Sequence, residues 1–381
     1  MKKFFVLAAA AALTLASCAK VETITKVNDE DHVIGFSNYA PKALAKASAA
    51  NYAEATSLVA DADFDVWAWY TANGTSFNGT NGTKYFSNWY TVIYQGDGAG
   101  TTGENNDYPD GARYWPTGDT PDWLSFFAYY PSDAGTITAP TTGLGEFSFT
   151  AEDTAAAQVD FMVADVVKDQ VYGATNATVG ETKKGTVNLT FKHQLTKVQV
   201  KFKTTAEIVA DANTNIQVTS ASFGHINNAG TLTASYDGTA TSTAWSAVSG
   251  DAAYTIAIPA GNLTATAANS GVPADDIFLL VPQAMNAPTR DANGDVTADA
   301  TAQYIDVAWT ITTDGIATNN SKRIYLDECV TTDGGDTQAN IDWAKNNFVT
   351  YIITIAPNQI LFTGAAEDWD AAETFGYYRV F

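Results

Sequence analysis

The segment Val187 to Phe202, VNLTFKHQLTKVQVKF, alternates more cleanly than any other part of the chain. Val187, Leu189 and Phe191 fall on one face of an extended strand. After Lys192-His193-Gln194 the apolar positions resume at Leu195, Val198, Val200 and Phe202 in a shifted phase. A period of two sends successive side chains to opposite faces, so such a segment buries one face of a sheet and does not form an amphipathic helix. The shifted phase predicts a bulge or corner between two strands. Shorter runs of the same kind are His32–Ser37, Phe64–Tyr70, Tyr85–Tyr94, Glu146–Thr150 and Val159–Val166. In the second half they are Ile216–Phe223, Thr231–Tyr236, Tyr254–Ile258, Ile277–Val281, Tyr304–Thr312, Lys322–Leu326, Phe348–Ile355 and Gln359–Phe362. Asn73-Gly74, Asn78-Gly79 and Asn81-Gly82 mark turns, because Asn and Gly tolerate positive φ. Short strands at even spacing predict an all-β chain of two antiparallel β-sandwich domains in tandem, divided near residue 185. Thr337–Asn346 is the one helical expectation.

Aromatic residues test that expectation. Seven of the seventeen positions from Tyr114 to Tyr130 are aromatic. Within Trp123–Tyr130 both faces are largely apolar, as in a central strand covered on both sides. An exposed surface of so many rings is rare on soluble monomers. The strand therefore belongs to a core, and only Tyr114 and Trp115, beside Pro116 and Gly118, are expected at the surface.

Charge narrows the class of partner. Forty-two acidic residues against twenty basic ones give a net charge of -22 among 381 residues. Sequence-independent attraction to nucleic acid is excluded as a function on that balance. Lys2 and Lys3, the apolar run Phe4–Leu13 and the tetrad Leu15-Ala16-Ser17-Cys18 have the order of a secretory signal, too short for a permanent span. The tetrad resembles a bacterial lipobox, which makes Cys18 the expected acylated residue, residues 1–17 the signal peptide and the outer-membrane lipid its anchor. Cys329 is then left without a disulfide partner and reads as a small buried hydrophobe.

No chemistry-bearing motif stands out. Phosphate-binding, zinc-protease and nucleophile-elbow patterns are all missing from the sequence. His32, His193 and His225 are the three histidines, and each reads as structural. No cofactor, metal ligand or catalytic residue is assigned, and the chain is not expected to be an enzyme. Asp291, Asn293, Asp295 and Asp299 have the spacing of a calcium loop. Val296 stands where that loop needs Gly and Ala302 where it needs Glu, so a solvated hairpin is the simpler account.

Taken in order, several pieces resemble the Bacteroidales fimbrillin family, lipoprotein precursors that build type V pili. They are Leu15–Cys18, Ile34-x-Phe36, Tyr114-Trp115-Pro116, Trp123–Pro131, Asp160–Ala164, Leu189–Val198, Tyr351-x-Ile353, Ile360-x-Phe362 and Trp369. The resemblance implies transthyretin-like sandwiches at 57–185 and 186–381, preceded by a segment, 18–56, that carries a cleavable first strand. It also implies a precursor lipid-anchored in the outer membrane, then an extracellular fimbrium supporting adhesion. Assembly would follow proteolytic loss of the first strand, the vacated groove taking a strand from another copy or a related subunit. The family's cleavage site usually carries Arg; this chain has none before Arg113, and Lys42-Ala43 and Lys46-Ala47 stand in its place, so cleavage is expected after Lys42 or Lys46. Phe375, Tyr377, Arg379 and Phe381 alternate along the C-terminal segment, either as the donor strand or as the last core strand of the second domain. The competing class is a surface lipoprotein that does not polymerise, serving as an anchor or binding a glycan or other host or bacterial surface ligand through its aromatic residues.

Overall fold

The computed structural model describes residues 32–40, 43–44, 54–55, 58, 60–94, 106–117, 120–137, 143–172, 180–182, 186–329, 341–357 and 359–369. Its longer strands in chain order are β1 (Gly35–Tyr39), β2 (Ala62–Thr71), β3 (Tyr90–Tyr94), β4 (Trp123–Tyr130), β5 (Gly145–Thr150), β6 (Met162–Ala164), β7 (Val167–Tyr172), β8 (Thr186–His193) and β9 (Thr196–Thr204). There follow β10 (Thr214–Ile226), β11 (Ala229–Tyr236), β12 (Thr241–Ser249), β13 (Ala252–Thr255), β14 (Ile277–Leu280), β15 (Tyr304–Thr313), β16 (Ile316–Tyr325), β17 (Asn347–Ala356) and β18 (Gln359–Asp368). Two α-helices, Ala206–Ala210 and Pro273–Asp276, are five and four residues long. The chain is all-β.

The first sheet runs β1-β8-β6-β4-β2-β3 and ends at the short strand Asn106–Asp107, with β7 also paired to β4. It curls until β1 lies over β2 and β4. The Phe36 ring meets Phe64 edge-on at 6.1 Å and Phe126 at 5.7 Å, and Phe64 meets Phe191 at 5.8 Å. Inside the curl lie Ile34, Phe36, Phe64, Val66, Ala68, Leu124, Phe126, Val187, Leu189 and Phe191, all buried. The outer face of β2 and β4 carries Trp67, Trp69, Phe127 and Tyr129, and a second sheet, β12-β11-β5 with Thr136–Ile137, covers it. Phe147 of β5 lies 5.3 Å from the Tyr129 ring, and Tyr236 of β11 stacks on Phe77 at 5.8 Å. Such ring pairs add about 0.5 to 1.5 kcal/mol each beyond the area they bury.

The third sheet, β14-β9-β17-β18, and the fourth, β13-β10-β15-β16, enclose apolar side chains that are continuous with the core between the first and second sheets. There Phe278 packs edge-on to Phe223 at 5.4 Å. At Gln194 and Leu195 the chain leaves the first sheet for the third, which explains the phase shift in the opening segment. Gln194 fixes the corner, its backbone N–H donating to the Phe161 carbonyl at 2.9 Å and its amide to the Lys192 carbonyl at 2.8 Å. Residues 186–193, expected to begin the second half, thus remain in the first sheet. The β11–β12 hairpin returns to pair with β5.

Other expectations are corrected. The first and third sheets are mixed, with β1 parallel to β8, β7 to Gly180–Thr182 and β9 to β17, while the second and fourth are antiparallel throughout. The strand expected over Tyr85–Tyr94 is confined to Tyr90–Tyr94, because the Tyr85 and Phe86 N–H groups both turn to the Ala68 carbonyl. The run Val159–Val166 yields only Met162–Ala164. No helix occupies the described residues 341–346; instead Trp343 bridges to Gln283, each N–H donating to the other's carbonyl. Tyr114 is exposed, but Trp115 is buried, edge-on to Phe126 at 5.7 Å.

Candidate functional site

The candidate site is the seat of β1. Ile34, Phe36, Asn38 and Ala40 share one face, and Ile34, Phe36 and Ala40 are fully buried. Asn38 accepts the Leu58 N–H at 2.7 Å. Tyr39 points away and is half exposed. On its inner edge β1 pairs with β8 in register from Gly35 opposite Thr186 to Tyr39 opposite Thr190. Ser37 also donates its hydroxyl to the Asn188 side chain.

The outer edge is held differently. Among the described residues backbone pairing there is limited to the bridge at Val33 and Tyr114, where the Ile34 N–H donates to the Arg113 carbonyl at 2.8 Å and the Trp115 N–H to the His32 carbonyl at 2.9 Å. Beyond it side chains take over. The Tyr108 hydroxyl donates to the Ile34 carbonyl at 2.7 Å and the Asn106 amide to the Phe36 carbonyl at 2.9 Å. Tyr108 stacks on Tyr90 at 5.9 Å, which also meets the Phe86 ring at 5.2 Å and the Arg113 guanidinium at 4.5 Å and donates its hydroxyl to the Gly111 carbonyl. Burial pushes the Tyr90 phenol up to about 12, so it stays a donor throughout the physiological range. Residues 106–115 form a clasp across an otherwise open strand edge.

Burying Ile34 and Phe36 contributes about 1.5 to 3 kcal/mol each. A chain without β1 would expose the rings of Phe64, Phe126 and Phe191 together with the β8 backbone edge. Such a groove is a template for a replacement strand, whose main chain pairs with β8 and whose alternate side chains fill the pockets.

Of the residues singled out by sequence, Ile34 and Phe36 lie in this seat. Cys18, Lys42, Lys46, Phe375, Tyr377, Arg379 and Phe381 lie outside the described residues. Ala43–Leu44, between the two lysines in sequence, pairs with Glu54–Ala55. His193 is sealed, with Nδ1 2.9 Å from Asp160 Oδ1 and its ring stacked on Trp369 at 3.7 Å. His32 packs on Tyr172 at 4.3 Å, and His225 Nδ1 lies 3.1 Å from the Ala302 carbonyl oxygen. Cys329 is buried and free, with burial raising its thiol pKa far above the range in which it would ionise. In the Asp291 loop one carboxylate oxygen accepts the N–H groups of Asn293 and Asp295, both at 2.9 Å, while Asp299 turns to Arg323 at 2.7 Å. Among the described residues no three His, Cys, Asp or Glu side chains are grouped to hold a metal. Asn106, Tyr108 and the clasp were missed by sequence reasoning, because the Gly, Asp and Asn-rich loop at 95–112 has no period to reveal a contact with β1.

A family model described as fimbrillin-like matches residues 50–369. Among solved structures, a fimbrial protein from Bacteroides vulgatus has a similar fold at 18% identity, with a TM-score of 0.53 over 89% of this chain and 99% of that one. The tip fimbrial protein Mfa3 from Porphyromonas gingivalis, with a C-terminal truncation, aligns at 11% identity, with a TM-score of 0.31 over 81% of this chain and 95% of that one. No curated protein matches the chain. With the family model spanning most of the sequence, the chain belongs to the fimbrillin-like family.

Proposed function

We propose that this chain is a structural, non-enzymatic subunit of a cell-surface fimbria, assembled when proteolysis releases β1 and a strand from another subunit takes its seat. The observation that carries this reading is the β1 seat itself. The strand buries Ile34 and Phe36 among the rings of the first sheet, yet among the described residues its outer edge is backbone-paired only at the Val33–Tyr114 bridge and is otherwise held by the side chains of Asn106 and Tyr108. Membership of the fimbrillin-like family supports it. In this scheme Cys18 carries the lipid that tethers the precursor to the outer membrane. Cleavage follows Lys42 or Lys46, both C-terminal to β1, so the lipid and the strand leave together. The segment containing Phe375, Tyr377, Arg379 and Phe381 is the donor. The two halves act as tandem sandwiches that stay folded during the exchange.

The test is N-terminal sequencing of protein shed from the cell surface, paired with electron microscopy after mild protease treatment. New N-termini at Ala43 or Ala47 and filaments are expected. An acylated Cys18 as the only N-terminus, without filaments, would overturn the reading in favour of a non-polymerising anchor or glycan-binding lipoprotein. Deleting residues 372–381 should abolish filaments and leave a folded monomer; a monomer that no longer folds would make that segment the last core strand instead.

A further inference from the structure

A cleft of about 210 Å³ opens where the first sheet, the β11–β12 hairpin and the start of the third sheet meet. Its working groups come from all three regions: Asp165 and Lys192, Gln194 at the corner, Thr241 and Thr243 on β12, and Lys345 before β17. Lys192 Nζ reaches both Asp165 carboxylate oxygens, at 2.7 and 2.8 Å. Lys345 Nζ donates to the Thr243 carbonyl at 2.7 Å and to its hydroxyl oxygen at 2.6 Å. No carboxylate among the described residues pairs with Lys345.

The remaining hydrogen-bonding capacity is nearly all of one kind. Thr243 donates its hydroxyl proton to the Gln194 side-chain oxygen at 2.7 Å, and the Thr241 oxygen accepts the Val166 N–H at 2.8 Å. An ammonium carries three donors and no acceptor. Each lysine therefore keeps a donor in hand, and the Thr241 hydroxyl proton is a further one. Asp165 cancels Lys192, which leaves a single positive charge on Lys345. Burial, and then the nearby Lys192 charge, hold the Lys345 ammonium below the ordinary lysine range, a cost that a bound anion would relieve.

We propose that this cleft binds a carboxylate-bearing sugar, a uronic acid residue of a surface polysaccharide. Donors around one net positive charge suit a monoanion; a phosphate dianion would bring excess charge against Asp165. The cleft is smaller than the roughly 300 to 1,000 Å³ that encloses drug-sized ligands, so it suits a single sugar ring. The Thr241 hydroxyl proton beside the ammonium groups offers a partner for a ring hydroxyl, which a bare carboxylate would leave unused. The proposal does not depend on strand exchange.

The test is calorimetric titration of the purified chain with sodium glucuronate at low salt, with glucose and sodium acetate as parallel arms. Glucuronate should bind, glucose and acetate should bind at least tenfold more weakly, and Lys345→Met should weaken glucuronate binding at least tenfold. Lys322→Met, on the exposed β16 strand away from the cleft, should leave it unchanged. Three results would each overturn the proposal: no glucuronate binding, equal binding to wild type and Lys345→Met, or acetate binding as tightly as glucuronate. An acidic peptide captured in place of glucuronate would reassign the cleft to a protein ligand and overturn it equally.

Discussion

Asp65 is the polar residue in the aromatic face of β2, directly opposite Tyr129 of β4. Its carboxylate accepts the Tyr129 hydroxyl at 2.5 Å and the Thr91 hydroxyl at 2.7 Å. Burial nevertheless dominates and raises its pKa above the ordinary 3.8, the two hydrogen bonds opposing the shift in part. The folded chain thus keeps this proton to higher pH than the unfolded chain does. The associated stability is complete below the unfolded value and is lost as pH rises through the folded one. Asp65→Asn does not titrate and still offers an oxygen to Tyr129. Its urea midpoint should therefore gain on wild type as the pH is raised from the ordinary 3.8 over the range where the wild type loses that proton. A difference between the two midpoints that is constant across that range would contradict a raised Asp65.

At the scale of the element, β1 should behave as a removable part. A chain cut after β1, at a protease site engineered into the following loop, should bind a synthetic peptide of residues 32–40. Fluorescence anisotropy of the labelled peptide measures this directly. Phe36→Ala in the peptide should weaken binding at least tenfold, since truncating a buried Phe costs about 3 to 5 kcal/mol in a packed core. Equal binding of the two peptides would mean that the pocket between Phe64 and Phe126 closes once β1 leaves. The existence of β1, β2 and β4 was legible because alternation or two-sided apolarity marks a strand whatever its partner. β12 was not: in Thr241–Ser249 the larger apolar side chains are Trp245 and Val248, and the strand exists through its pairing with β11. The clasp is harder still to foresee, since Asn106 and Tyr108 reach residues 70 and 74 positions away. Nor did alternation identify Lys192 and Lys345 as neighbours, because charged residues on exposed faces carry no core-facing pattern.

Across the whole molecule, the β11–β12 hairpin joins what sequence reasoning divided near 185. It pairs with β5 of the first half yet follows β10 of the second. Trp245 is its main anchor, donating its indole N–H to the Gln194 carbonyl at 2.8 Å and packing edge-on to Phe149 at 6.1 Å and Phe161 at 6.3 Å. Lys345 adds a second tie to β12 through Thr243. Gln158 gives a third, its side-chain oxygen accepting the Leu279 N–H of β14 at 2.7 Å. These ties should make the two halves melt together. Trp245→Ala removes a partly buried ring and its hydrogen bond, and should cost about 2 to 3 kcal/mol. Scanning calorimetry should then resolve two transitions where the wild type gives one, because the lost energy belongs to the coupling between the halves more than to either alone. One transition in the variant, shifted but not split, would place the coupling in the β8–β9 corner instead. A corner variant, Gln194→Ala, should then produce the split that Trp245→Ala did not.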